Sequence, residues 1–189
     1  MQDRTARGRW EERDAVDECW HSVRETIRVN TFPLWTRSVS STLQEWLRPD
    51  GLTLICGHRE ASCRLLGELG EAMSVEPVSL TELALAGAPA RTAQELLDRL
   101  TGKTLLFDLE TICWSPWLRL DPVRFLRQHS HRQGIVAVWP GTVTGRTVTY
   151  SATDRRDYVS ADARGLGVLR PVPTRFPDEV PFTIERIPA

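Results

Sequence analysis

The chain predicts a three-layer α/β domain with a mainly parallel sheet, and two observations carry that expectation. Leu52–Cys56, "KTLLFDLE" (103–110) and "GIVAVWPG" (134–141) are short, nearly continuous apolar runs, the pattern of strands buried on both faces. Segments of helical periodicity alternate with them, as crossovers between parallel strands require. With 189 residues the length suits one such domain with short extensions.

Taken in order, Val16, Cys19, Trp20, Val23 and Ile27 recur at spacings of three and four, which predicts an amphipathic N-terminal helix. Val39, Leu43, Trp46 and Leu47 repeat the pattern until "RPDG" (48–51) ends it. Residues 1–50 thus read as a helical extension packed on the domain, and residues 51–170 as the α/β domain itself. After the first strand and a loop, Leu65, Leu66, Leu69 and Met73 predict a helix lying on the sheet. "SVEPVSL" (74–80) offers a short strand or an extended connector interrupted by Pro77, and the stretch through Pro89 has no decisive pattern.

Thr92 followed by Glu95 is a capping box for "TAQELLDRL" (92–100), with Gly102 just past its end. Asp121 and Pro122 open a further helix as N-cap and first-turn residue. "TVTGRTVTY" (142–150) predicts a hairpin around Thr144 and Gly145. The proline-bearing tail, residues 171–189, reads as extended and less regular.

Composition narrows the function classes. A formal charge of -1 gives no chain-wide footprint for nucleic acid or a membrane surface, so any DNA contact is local. Cys19, Cys56, Cys63 and Cys113 form no C-x-x-C pair and suggest neither zinc nor a disulfide framework. No stretch is apolar enough to span a bilayer and the N-terminus lacks a secretory pattern, so the expected location is the cytoplasm. The seven tryptophans are expected in core or subunit packing.

The stretch Gly57–Arg64 carries the functional question. Strand, loop and helix follow one another there as in a phosphate-binding P-loop, G-x-x-x-x-G-K-[ST], in which backbone N–H groups cradle phosphates, Lys reaches the β and γ phosphates, and a hydroxyl holds Mg²⁺. Counted from Gly57, with His58, Arg59, Glu60 and Ala61 between, the last three positions hold Ser62, Cys63 and Arg64. A thiol supplies no cation and a guanidinium coordinates no Mg²⁺, so the Walker A motif is degenerate and a pseudo-ATPase is expected. Arg59 or Arg64 in the lysine's role would be the route to real hydrolysis, by a fork of different geometry.

"LLFDLE" (105–110) has the form of a Walker B strand, with Asp108 as the residue that would hold Mg²⁺ if the metal binds and Glu110 as the candidate catalytic partner. A loop-capping carboxylate is the simpler role for such an acid. The tripeptide Gly102-Lys103-Thr104 precedes a strand instead of following one, and is read as a helix-end turn. His129 and His131 are helix-end polar residues and not metal ligands; with Arg119, Arg124, Arg127 and Arg132 they make a locally basic segment, read as a solvated face.

From about Gly51 to Leu169 the chain resembles the BrxF family, the small P-loop proteins of bacteriophage-exclusion (BREX) defence systems. The resemblance rests on the Asp121-Pro122 helix start, Ser130 near that helix's end, a strand closed by Trp139-Pro140-Gly141, and the Thr149-Tyr150 strand followed by Asp157-Tyr158. It implies a compact P-loop NTPase-like domain working in antiviral defence beside other components, including a large ATPase, a DNA methyltransferase and a phosphatase-like protein. ATP and Mg²⁺ are the cofactors it would imply, and Ser62-Cys63-Arg64 is where this chain departs from it. The expectation is a non-catalytic or weakly catalytic subunit that acts through protein partners or as a homo-oligomer. An active NTPase with substituted residues and a nucleic-acid-binding module are the alternatives.

Overall fold

The computed structural model describes residues 51–87, 89–102, 104–114, 120–131, 133–172 and 182–189. The two helices expected before residue 51, Lys103, and Arg119 and Arg132 of the basic segment lie outside them. No helix among the described residues is long and apolar enough to cross a membrane.

Strand β1 (Leu52–Ile55) is followed by helix α1 (Arg59–Met73), β2 (Val78–Ser79), α2 (Leu80–Leu85), α3 (Ala93–Arg99) and β3 (Leu105–Phe107). Then come α4 (Glu110–Trp114), α5 (Pro122–Ser130), β4 (Ile135–Val138), β5 (Thr142–Thr144), β6 (Thr147–Tyr150), β7 (Val159–Asp162), β8 (Gly167–Pro171) and β9 (Phe182–Arg186). Among the described residues these strands form a six-stranded sheet, in the order β2-β3-β4-β1-β8-β9, and a three-stranded sheet, β5-β6-β7.

The first five strands of the large sheet run parallel, with Leu52 opposite Ile135 and Thr53 opposite Gly167. β9 closes the edge antiparallel to β8. The expected α/β class with a mainly parallel sheet is therefore present. Its three apolar runs are β1, β3 and β4, every residue of which is buried. With no exposed face to satisfy, such strands need no polar alternation.

Alternation along β1 and β4 divides the core. Leu52, Leu54, Ile135 and Ala137 pack in one cluster with Val123, Phe125 and Leu126 of α5. Thr53, Ile55, Val136 and Val138 are as buried but lie outside that cluster, as do Leu65, Leu66 and Leu69 of α1. Helix α1 thus covers the opposite face, with its leucines at the expected helical spacing.

The helix ends follow local chemistry. Asp121 accepts from the Arg124 N–H at 2.9 Å, with Pro122 in the first turn. Thr92 accepts from the Glu95 N–H at 3.2 Å, and the Glu95 carboxylate reaches one residue beyond the usual capping box, to the Arg91 N–H at 2.7 Å. Ser79 caps α2 through the Glu82 N–H, which orders the stretch before Pro89.

Two findings go beyond the sequence reading. The tail returns as β9, so the stretch from Pro171 onward includes the last residue of β8 and its antiparallel partner, and Ile187 is buried. The hairpin gains a third strand, β7, so Val143, Val148 and Ala163 turn toward the core while Thr142, Thr144 and Thr147 face solvent. Gly141 sets how that small sheet leaves β4: a Cβ there would lie 1.9 Å from the Thr149 carbonyl oxygen and 2.8 Å from Trp139 Nε1. Only glycine admits this approach, and it lets the buried Trp139 indole donate to Thr149 at 2.9 Å.

Candidate functional site

In a parallel sheet the loops after the strands converge at the carboxyl edge, where ligands of open α/β folds bind. Here the edge carries the β1–α1 connection, the β2–α2 turn, the Asp108 turn and the chain leaving β4.

The β1–α1 connection is only Cys56, Gly57 and His58. A loop running to Ser62 was expected; the helix instead starts at Arg59, so most of Gly57–Arg64 is helical. The cause is local: Arg, Glu, Ala and Leu favour helix, and without a second glycine there is no residue suited to the reversal a phosphate cradle requires.

Gly57, His58, Arg59 and Glu60 are exposed at the helix start, Ala61 is half-buried, and the three diagnostic positions face elsewhere. Ser62 and Cys63 are 1% and 3% exposed, inside the protein, and the Ser62 hydroxyl has no hydrogen-bond partner. Arg64 turns along its own helix to Glu68, at 3.6 Å. His58, at the N-cap, makes no side-chain capping bond.

Asp108 sits in the left-handed region at φ 57, which Asp tolerates better than most residues. It is tied down from across the sheet: its carboxylate accepts from the Ser79 hydroxyl at 3.1 Å and its carbonyl accepts from the Thr81 hydroxyl at 3.2 Å. Thr81 in turn pairs with the Thr111 hydroxyl. Asp108 thus joins the β2–α2 turn to the start of α4, the loop-capping role of a strand-end acid.

Glu110 opens α4 beside it, 3.5 Å from the Arg59 guanidinium. Burial pushes the Glu110 carboxyl above the usual range; a backbone N–H and Arg59 oppose this, while Asp108 adds to it by charge and by hydrogen bonding. Arg59 is thus the residue of the expected loop that reaches Glu110.

The small sheet contributes to the same region. Burial first, then Cys113, Asp157 and Glu110, push the Tyr150 phenol up to about 12. Burial, then Glu110 and Asp157, raise the Cys113 thiol, which packs in the core cluster. Asp157 accepts from the Ser151 hydroxyl at 2.9 Å and from Arg155 at 3.1 Å. Burial would raise its carboxyl, but these bonds and a backbone N–H hold it low. Cys56 at the end of β1 is pushed up to about 12 by burial, against the opposing charge of Arg170.

No family model, curated protein or solved structure matches this chain.

The donor set does not fit Mg²⁺-nucleotide. The residue at the Mg²⁺-ligand position of the loop is Arg64, the lysine position is a buried thiol, Asp108 is engaged by Ser79, and Glu110 has a guanidinium beside it. Among the described residues no three His, Cys, Asp or Glu side chains are grouped to hold a metal ion.

The histidines separate: His129 is buried with Gln133 Nε2 3.1 Å from its Nε2, while His131 is exposed. Arg127 of the basic segment donates to the Asp162 and Arg164 carbonyls at 2.8 Å, fastening the β7–β8 turn, while Arg124 is exposed. Sequence reasoning missed Ser79, Thr81 and Thr111, which are short polar residues without a motif, and gave Tyr150 no place at this site. The one available signal was Ser79 three residues before Glu82, the N-cap pattern of a short helix.

Proposed function

We propose that this chain is a P-loop-like α/β subunit that has lost nucleotide chemistry and acts through protein partners in a BREX-type anti-phage defence assembly. The observation that carries the loss is the start of α1 at Arg59, with Ser62 and Cys63 buried in the helix where a phosphate cradle would need exposed backbone and a lysine. Phosphoryl transfer depends on positioning and on charge at the transferring group, and neither is supplied by a thiol in the core or by an arginine turned to Glu68.

The strand arrangement supports a P-loop-like ancestry: β1 and β3 are separated by β4, and both end at the edge where Gly57 and Asp108 lie. The place in phage defence rests on the resemblance to BrxF, whose Trp139-Pro140-Gly141 element has a defined structural use here in joining β4 to the small sheet. A large ATPase of the same system is the expected partner, and self-association is the alternative. No described helix is of membrane-spanning type, and nothing in the reading calls for a membrane.

The test has two parts. Purified protein should hydrolyse ATP no faster than Asp108→Ala, and tagged protein should retain the system's large ATPase when the two are co-expressed. Turnover that depends on Asp108 contradicts the loss of chemistry; retention of no defence component contradicts the assembly role.

A further inference from the structure

We infer that the outer face of the small sheet, β5-β6-β7, is a docking surface for duplex DNA that grips the phosphate backbones without reading sequence. The strand register sends Val143, Val148 and Ala161 toward the core, and so turns Thr142, Thr144, Thr147, Thr149, Ser160 and Asp162 outward together. Thr149 is half-buried and the other five are exposed. Five of the six carry hydroxyls, and those of Thr142 and Thr149 pair across the strands at 2.8 Å.

Arginines stand at both ends of this face. At one end Arg146 is exposed in the β5–β6 turn, and Arg164 reaches Asp162, the one acid on the face, through its backbone N–H at 3.0 Å and through its guanidinium. At the other end Arg155 and Arg156 are exposed in the β6–β7 loop. Asp157 there is drawn inward, its side chain 8% exposed against 66% for the Arg155 that pairs with it, so the cation is what solvent meets. Asp154 is the remaining acid of residues 142–164. Beside the β7–β8 turn, Arg127 donates to the Asp162 and Arg164 carbonyls and adds a further positive charge. A chain of net charge -1 thus gathers arginine around one polar face.

These groups match a duplex backbone. Arginine and the hydroxyls of Ser and Thr are common donors to the phosphate and sugar oxygens of DNA. The face has no aromatic side chain on which unpaired bases could stack, and no apolar anchor of the kind that dominates protein interfaces. Size agrees as well: the four residues of β6 rise about 3.3 Å each, about 13 Å in all, close to the roughly 12 Å width of a major groove. Arg146 before β6 and Arg155-Arg156 after it are thereby set about a groove width apart, with hydroxyls between them.

The experiment titrates the full chain into fluorescently labelled duplex DNA of about 20 base pairs, in two unrelated sequences, and reads anisotropy at 50 and 150 mM KCl. Contacts from Arg146, Arg156 and Arg164 to three phosphates give a slope of about -2.7 in log affinity against log salt, about a twentyfold loss between those concentrations. Both duplexes should bind alike. Arg146→Glu, Arg156→Glu and Thr144→Glu should each weaken binding at least tenfold, whereas Arg91→Glu, a charge reversal at an exposed position outside the small sheet, should change it less than twofold. Thermal unfolding followed by circular dichroism accompanies each variant, and where a Glu variant does not fold, Gln at the same position should weaken binding at least threefold.

No duplex binding by the wild type at 50 mM KCl would overturn the inference, as would face variants that bind like the wild type or an Arg91→Glu variant that loses as much as they do. Tighter binding of the single strand than of the duplex would also overturn it. So would face variants that alter sedimentation while DNA binding stays intact, since that outcome makes the face a contact between copies of the chain.

Discussion

Replacing Glu68 with Gln should change how stability depends on pH. Glu68 lies on α1 with its side chain 24% exposed; one carboxylate oxygen is 3.6 Å from Arg64 and the other is buried without a hydrogen-bond partner. Burial, opposed by Arg64 and reinforced by Glu71, carries the carboxyl from 4.5 to about 7. In this direction the folded protein binds the proton more tightly than the unfolded chain. The contribution of Glu68 to stability is therefore complete below about pH 4.5, is lost as pH rises toward 7, and changes no further above that.

The full shift corresponds to about 3 kcal/mol between protonation states. Solvent reaches part of the group, so about 1–2 kcal/mol of it is expected in the stability difference. Glu68→Gln keeps the shape and removes the titration. Urea unfolding at pH 4 and pH 8 should give equal stabilities at the lower pH and a variant more stable by about 1–2 kcal/mol at the higher. Parallel pH profiles for the two proteins, or a variant destabilised at pH 8, would refute the reasoning.

Three further substitutions test separate parts of the account. Gly141→Ala would place a methyl 1.9 Å from the Thr149 carbonyl and break the bond from the buried Trp139 indole, so urea unfolding should show a loss of about 3 kcal/mol or more, whereas Gly145→Asn, in open space at φ 55, should cost less than about 1 kcal/mol. Ser62→Ala removes a buried hydroxyl that has no partner, and thermal unfolding should show unchanged or increased stability, by up to about 1 kcal/mol; a loss of that size would mean the hydroxyl has a role. Restoring Gly, Lys and Ser together at positions 62, 63 and 64 would bury an ammonium group at the Cys63 position, so the variant should be strongly destabilised and gain no ATP affinity; a stable variant that binds ATP would show that the loop can re-form.

What could be read from the sequence follows from interaction range. β1, β3 and β4 announce themselves by apolar runs because both faces of each are covered, and Asp121-Pro122 and Thr92-x-x-Glu95 announce helix starts because a cap acts within four residues. β9 was hidden because its partner β8 lies across residues 173–181 and its own pattern, Phe182–Arg186, is short and half polar. α4 is too short, at five residues, to show a period.

The site divides the same way. Asp108 and Glu110 could be found from the strand that precedes them, but the bond from Ser79 spans 29 positions and the contact from Arg59 crosses the sheet edge, and no local spacing encodes either. The loop boundary was misread because Gly57 after an apolar strand suggests a phosphate cradle, while the helix propensity of residues 59–66 begins the helix at once.

The central claim, that the chain has the outline of a P-loop domain without its nucleotide site, is tested most directly by calorimetric titration of ATP into the purified protein with and without Mg²⁺. The account predicts no saturable binding in either condition. Saturable binding that strengthens with Mg²⁺ and disappears in Asp108→Ala would contradict it.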